Sequence, residues 1–138
     1  MKKILLDTHV LLWWIDNKNH KLIGEQARRT ISNPVNEIYL SAVSAWEIAI
    51  KNSLSSLNAP SDIEAIAERK GFLALPISLF HGEQAGSLPF ERHPVTGKIH
   101  RDPFDRMLIA QAQAEGMYLM TKDTAFQAYA VRLIDAEK

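Results

Sequence analysis

The chain has 138 residues, 46% hydrophobic and 23% charged, a balance expected of one folded domain spanning 1–138 with a buried core. Sixteen Lys and Arg offset sixteen Asp and Glu, for a formal net charge of zero. This excludes a nucleic-acid clamp built on a strong overall basic field, though not a local basic rim. The absence of cysteine excludes disulfides, thiolate zinc sites and thiol catalysis, and suits a reducing cytoplasm.

The opening run MKKILLDTHVLLWWID imitates a signal peptide, but Asp7, His9 and Asp16 interrupt it and no small-residue cleavage site follows. No stretch reaches the roughly 18 uncharged apolar residues of a membrane span, so a soluble, unprocessed cytoplasmic protein is expected. KILLD (3–7) is a continuous apolar run, as in a strand buried on both faces. THVLLWWIDN follows as a helix whose apolar residues cover most of the cylinder. A second helix is expected over 21–32, stopped by Asn33-Pro34. EIYLS (37–41) is the second strand and AVSAWEIAIKNSL (42–54) the third helix. A fourth helix opens at Pro60-Ser61 and ends at Gly71, before a third strand over 72–78 and a short helix over 79–88. Residues 87–101, with two prolines, a glycine and mixed charge, form a long irregular connection of the kind that often carries function. A helix over 103–115 is closed by Gly116. Strand 117–121, a short helix over 122–130 and strand 131–135 complete the chain. Strands alternating with helices predict a parallel five-stranded sheet covered on both faces, a three-layer α/β/α sandwich.

In such a sheet ligands bind at the C-terminal ends of the strands, and acids recur there. Asp7 ends the first strand, Glu47 lies early in the helix after the second, Asp105 opens the helix before the fourth, and Asp123 follows the fourth. Each has a plain structural explanation. Asp7, Asp102 and Asp123 are good helix N-caps, with Pro103 in the N1 position behind Asp102. Glu47 stands three residues after Ser44, a capping-box spacing. Asp105 gains from the helix dipole. No single acid is decisive, but together they are. Converging carboxylates repel and raise one another's pKa, a divalent cation removes that cost, and an all-oxygen donor set selects Mg²⁺ or Mn²⁺ over zinc. Such a site polarises a phosphodiester and activates water for in-line attack.

ILLDTHVLLWW, SAVSAWEIAIK, HRDPFDRMLIAQA and LMTKD resemble, in order and spacing, the PIN-domain ribonucleases, specifically the VapC-type toxins of bacterial toxin–antitoxin pairs. The resemblance covers nearly the whole chain. It implies a PIN-like fold and Mg²⁺- or Mn²⁺-dependent endoribonuclease activity on RNA. It places the family's catalytic, metal-binding acids on Asp7, Glu47, Asp105 and Asp123, with supporting hydroxyls on Thr8 and Thr121. It further implies a homodimer and inhibition by a small cognate antitoxin. Asp102 is kept as a supporting or second-metal residue. Arg101 and Arg106 flank the acids and are the candidates for RNA contact or acid orientation.

Other features carry less. His81, His93 and His100 show no metal-ligand spacing and are expected to be solvated or half-buried polar residues, while His9 borders the site or packs. Trp13, Trp14 and Trp46 are expected to pack in core or interface rather than stack bases. No phosphate-binding glycine loop is present. An aspartyl-nucleophile phosphatase wants an acid where His9 stands, and a receiver wants one after the third strand, where PISLF has none. A catalytically degenerate PIN-like protein-binding module is the alternative function, and it should have lost some of the four acids.

Overall fold

The computed structural model describes residues 1–138. Five parallel strands, β1 (Lys3–Leu6), β2 (Glu37–Ser41), β3 (Leu73–Leu75), β4 (Tyr118–Thr121) and β5 (Leu133–Asp135), lie in the order β3-β2-β1-β4-β5. Six helices accompany them: α1 (Thr8–Ile15), α2 (Glu25–Ser32), α3 (Ala42–Ser53), α4 (Ile63–Lys70), α5 (Leu79–Ser87) and α6 (Pro103–Glu115). The expected three-layer α/β/α sandwich is present. No helix is long and apolar enough to cross a membrane.

The central strand β1 shows why both faces are covered. Ile4 and Leu6 join Ile38, Leu40 and Met120 in one apolar cluster with Val10 and Leu11 of α1, Ala27 and Ile31 of α2, and Ile63 and Ile66 of α4. The intervening Leu5 belongs to the opposite cluster, with Leu119, Phe126 and the α6 residues Leu108, Ile109 and Ala112. A two-residue period thus splits one strand between two cores. Helix α3 joins the layers, Ile48 packing in the first cluster and Val43 in the second. Leu5, Leu6, Leu108 and Ile109 are fully buried, each worth roughly 1.5–3 kcal/mol of transfer free energy.

Helix α6 matches the expected 103–115 span, with Asp102 as N-cap and Gly116, at φ +66°, as the left-handed stop. Four expectations need correction. The continuous helix over 21–32 is broken into a 3₁₀ turn, His20–Leu22, and α2, with extended Gly24 between them. The chain end passes so close that a Cβ on Gly24 would meet the Lys138 backbone carbon at 2.2 Å, and a continuous helix cannot accommodate that approach. The third strand is only Leu73–Leu75, ending at Pro76, which has no N–H for a ladder. Segment 122–130 holds a 3₁₀ helix, Thr124–Ala128, rather than an α-helix, and β5 begins at Leu133. The connection over 87–101 is irregular as expected, drawn into a hairpin-like excursion by an antiparallel bridge between Arg92 and Ile99.

Candidate active site

The register of β1 against β4 builds the centre of the site. Leu6 pairs with Met120, so the next step brings Asp7 beside Thr121. The Asp7 N–H donates to the Met120 carbonyl at 2.9 Å, and the Thr121 hydroxyl donates to Asp7 Oδ2 at 2.7 Å. Asp7 occupies the N-cap position of α1, yet its side chain makes no capping bond. The carboxylate is 5% exposed and is turned to Thr121. That hydroxyl also accepts from the Asp123 N–H at 3.0 Å, so one threonine ties the acids that end β1 and follow β4.

Glu47 lies in the second turn of α3 and is 6% exposed. Its proposed capping partner Ser44 does not cap. The N-cap is Ser41, whose Oγ accepts from the Val43 N–H, while Ser44 accepts from the buried Thr8 hydroxyl at 2.9 Å. Glu47 Oε2 instead contacts the Lys51 ammonium at 2.6 Å. Thr8 therefore joins α1 to α3 and positions the walls around Asp7 and Glu47.

Asp105 sits in the first turn of α6, its side chain 19% exposed. Asp102 Oδ1 accepts from the N–H groups of Phe104 and Asp105 at 2.9 and 3.0 Å, so Asp102 is the helix cap. Asp123 Oδ1 likewise accepts from the Ala125 N–H and opens the 3₁₀ turn. His100 goes beyond what its spacing suggested. Its Nε2 is 3.0 Å from Asp105 Oδ2 and its Nδ1 2.8 Å from the Tyr129 hydroxyl, with the side chain 10% exposed. When Asp105 is ionised, Nε2–H donates to it and Nδ1 accepts from Tyr129, which fixes the ring and the acid together. The one sequence signal for this was a histidine five residues before Asp105 in HRDPFDR. His93 pins the same loop further out, its Nε2 2.9 Å from the Thr124 hydroxyl.

The electrostatics are those of a crowded acid cluster. Burial pushes Asp7 up to about 6, against the Thr121 hydrogen bond that lowers it, with the charges of Glu47 and Asp123 adding to the rise. Asp105 is pushed to about 8, first by burial and then by Asp102, Asp7, Asp123 and Glu47. Burial pulls His9 below its ordinary value, Lys122 and Lys51 adding to the fall. Burial also lowers His100. The Glu47 hydrogen bond raises Lys51.

No three Asp, Glu or His side chains stand close enough together to form a ready-made ligand set for a metal ion. The donors nevertheless fit a hydrated hard cation. They are oxygen-only, two are held above their normal pKa by burial and, second to it, by neighbouring acids, and Mg²⁺ keeps several waters while taking one or two carboxylates directly. A concavity of about 710 Å³ lies elsewhere. It is lined by Trp14, His20, Asn33, Asn36, Gly71 and Phe72 among others, at the end of the sheet where β2 and β3 begin.

The flanking arginines divide. Arg101 is exposed and free to meet phosphate. Arg106 is buried, and its guanidinium donates to the carbonyls of Ala85, Leu88 and Pro89 with the Phe90 ring 4.2 Å away. RNA contact by Arg106 is therefore corrected to anchorage of the segment leading into the 87–101 loop, because its donors are taken up inside the protein. Trp13 and Trp14 pack against the core as expected, but Trp46 is 58% exposed, edge-on to Phe104 at 5.4 Å.

The family model of the PIN domain matches residues 4–132. No curated protein matches significantly. Among solved structures, a chain of the FitAB complex bound to an IR36 DNA fragment superposes with a TM-score of 0.65 at 20% identity, covering 98% of this chain and 96% of that one. A chain of VapBC-1 from nontypeable Haemophilus influenzae gives 0.64 at 20% identity, covering 99% of both chains. A chain of the DNA-bound VapBC of Salmonella typhimurium gives 0.64 at 20%, covering 98% of both. These likenesses are of fold, and the family match covers nearly the whole sequence: the chain belongs to the PIN-domain family.

Proposed function

We propose that the protein is a metal-dependent endoribonuclease, the toxin of a toxin–antitoxin pair, acting as one domain over residues 1–138. Asp7, Glu47, Asp105 and Asp123 would be its catalytic, metal-holding acids. What supports this reading is the convergence of acids from four separate chain segments on buried Asp7 and partly buried Asp105, whose carboxyls are pushed up to about 6 and about 8, first by burial and then by those acids. Acids kept in that arrangement without a structural counter-charge of equal size call for a cation.

When bound, Mg²⁺ or Mn²⁺ supplies Lewis acidity to the phosphoryl group and lowers the pKa of a coordinated water. The chain's own residues do the rest. Thr121 holds Asp7 and, through its backbone partner, the Asp123 turn. His100, braced by Tyr129, orients Asp105. Asp102 stabilises the helix start beneath Asp105. Exposed Arg101 and Lys122, with half-exposed Lys51, offer positive charge to RNA phosphates. The low exposure of Asp7 and Glu47 keeps bulk water from screening these interactions.

Partners follow from two supports. The structural neighbours are chains of two-component complexes, which favours a small cognate antitoxin here. Trp46, Ile77, Leu79 and Phe80 are exposed apolar residues, and Trp46 and Ile77 line one groove with Phe104 and Met107. That surface suits a homodimer. The absence of cysteine suits the cytoplasm.

The test is cleavage of single-stranded RNA with Mg²⁺ or Mn²⁺ by the wild type, Asp7→Asn and Asp105→Asn, beside calorimetry with Mn²⁺. Metal-dependent cleavage by the wild type alone is expected. Undiminished cleavage by either variant refutes the site assignment. A wild type that takes up no Mn²⁺ returns the chain to the non-catalytic PIN-like binding module.

A further inference from the structure

Glu47 is the one site acid in direct contact with a lysine or arginine. The contact differs in kind from the chain's other pairs of this sort. Arg29–Glu25 and Arg69–Asp62 are wide and solvent-exposed on both sides, at 3.4 and 3.7 Å. Lys51–Glu47 closes to 2.6 Å, with the acid side chain 9% and the lysine side chain 43% exposed. The buried end of the pair is thus in the acid cluster and the exposed end at its mouth. The two residues are four apart on α3, with the acid on the N-terminal side, a spacing that sets them on one face. Lys51 also lies in the field of Asp102 and Asp105, on the far wall of the site.

A divalent cation near Glu47 and an ammonium 2.6 Å from its oxygen repel each other across a carboxylate that is itself only 9% exposed. One must yield, and lysine can, because it is a point charge on a flexible four-carbon stem with three rotatable donors. We propose that Lys51 is a displaceable counter-ion: it holds Glu47 in the metal-free protein, leaves it when a divalent cation enters, and then carries its ammonium to the RNA phosphate at the mouth of the site. This rests on the metal-dependent ribonuclease reading and gives Lys51 a second, metal-coupled role within it. No bond is made or broken by Lys51. Its three N–H donors change acceptors, from a carboxylate to phosphate oxygens.

The test is Mg²⁺ calorimetry without RNA, at about pH 8.5 so that the acids are largely ionised, on the wild type, Lys51→Met and Lys51→Arg. Lys51→Gln replaces the Met variant if that one fails to fold by circular dichroism. With the competitor gone, Lys51→Met is expected to bind Mg²⁺ on the order of tenfold more tightly, and Lys51→Arg to stay near wild type. At saturating Mg²⁺, Lys51→Met is expected to cleave RNA on the order of tenfold more slowly, through loss of a phosphate contact. A lysine that merely braces α3 cannot tighten metal binding when removed. If the wild type binds Mg²⁺ and Lys51→Met binds no better, the counter-ion role is overturned and the ribonuclease reading stands. Tighter binding with undiminished cleavage overturns the phosphate contact. A wild type that binds no Mg²⁺ overturns both.

Discussion

Removing the Asp105 carboxylate should make the protein more stable in the absence of metal, most of all in alkali. Asp105 titrates at about 8 when folded, against an ordinary value of 3.8. Between those values the folded state holds a proton that the unfolded chain has released. Stability from this group is therefore fully present below 3.8 and is lost as pH rises through about 8. At about 1.4 kcal/mol per pKa unit, going from about pH 5 to about pH 9 destabilises the folded state on the order of 4 kcal/mol through Asp105 alone. Asp7, raised to about 6, acts in the same direction, mostly below about pH 6. His9 and His100 act oppositely, since their lowered values make the fold lose stability as pH falls below about 6.5. The difference between wild type and Asp105→Asn removes most of those common terms. The amide keeps a hydrogen-bonding group beside His100 but cannot ionise. Thermal unfolding in chelator should give the variant a melting point a few degrees higher near about pH 5, where the unfolded wild type has already ionised, and on the order of 10 °C higher again near about pH 9. Saturating Mg²⁺ should close much of that gap by stabilising the wild type, since ligand at about 100 times Kd contributes about 2.7 kcal/mol. Parallel wild-type and variant curves across the whole range would sink the claim that Asp105 carries an unrelieved charge.

Three further outcomes follow from particular contacts. Arg106→Met should lower stability by about 3 kcal/mol in urea unfolding, because three carbonyls lose their donors. Its RNA affinity, measured in the folded fraction, should match wild type; an affinity loss without destabilisation would restore it to the RNA surface. Thr121→Val removes the donor that lowers Asp7, so the Asp7 carboxyl, followed by carbon-detected NMR without metal, should titrate higher by about one unit; an unmoved Asp7 refutes the bond. Gly24→Ala should destabilise by at least about 2 kcal/mol, since its methyl would meet the Lys138 backbone; unchanged thermal unfolding would show that this approach is not tight.

The layer order was legible in the sequence because a buried parallel strand leaves a run such as KILL, and a capped helix leaves Asp-Pro at one end and Gly at the other. Both signals are local. What broke the expected second helix was not. Gly24 is extended because residues more than a hundred positions later lie against it, and no window around 24 contains that information. The third strand was overextended for a subtler reason: FLALPIS is apolar throughout, but apolarity does not reveal that β3 is an edge strand or that Pro76 ends its ladder.

The acids divide along the same line. Asp7, Glu47 and Asp123 could be singled out because the strand ends they follow could be counted, and Asp105 because the Asp-Pro start of its helix is visible in the sequence. Thr121 was singled out only by the family resemblance, because its bond to Asp7 depends on the β1–β4 register. Arg106 was misread because a basic residue beside acids looks the same in sequence whether it faces solvent or three carbonyls. His100 was missed because its partners, Asp105 and Tyr129, are five and twenty-nine residues away. Lys51 is one lysine among many in the sequence, and its position on α3 is unremarkable in isolation. Only the burial of Glu47 separates it from Arg29 or Arg69, because an exposed ion pair is worth little while breaking a buried one strands an uncompensated charge. If a cation does take Glu47, the need to balance its charge with and without that cation is what makes an ordinary helical pair a component of the site.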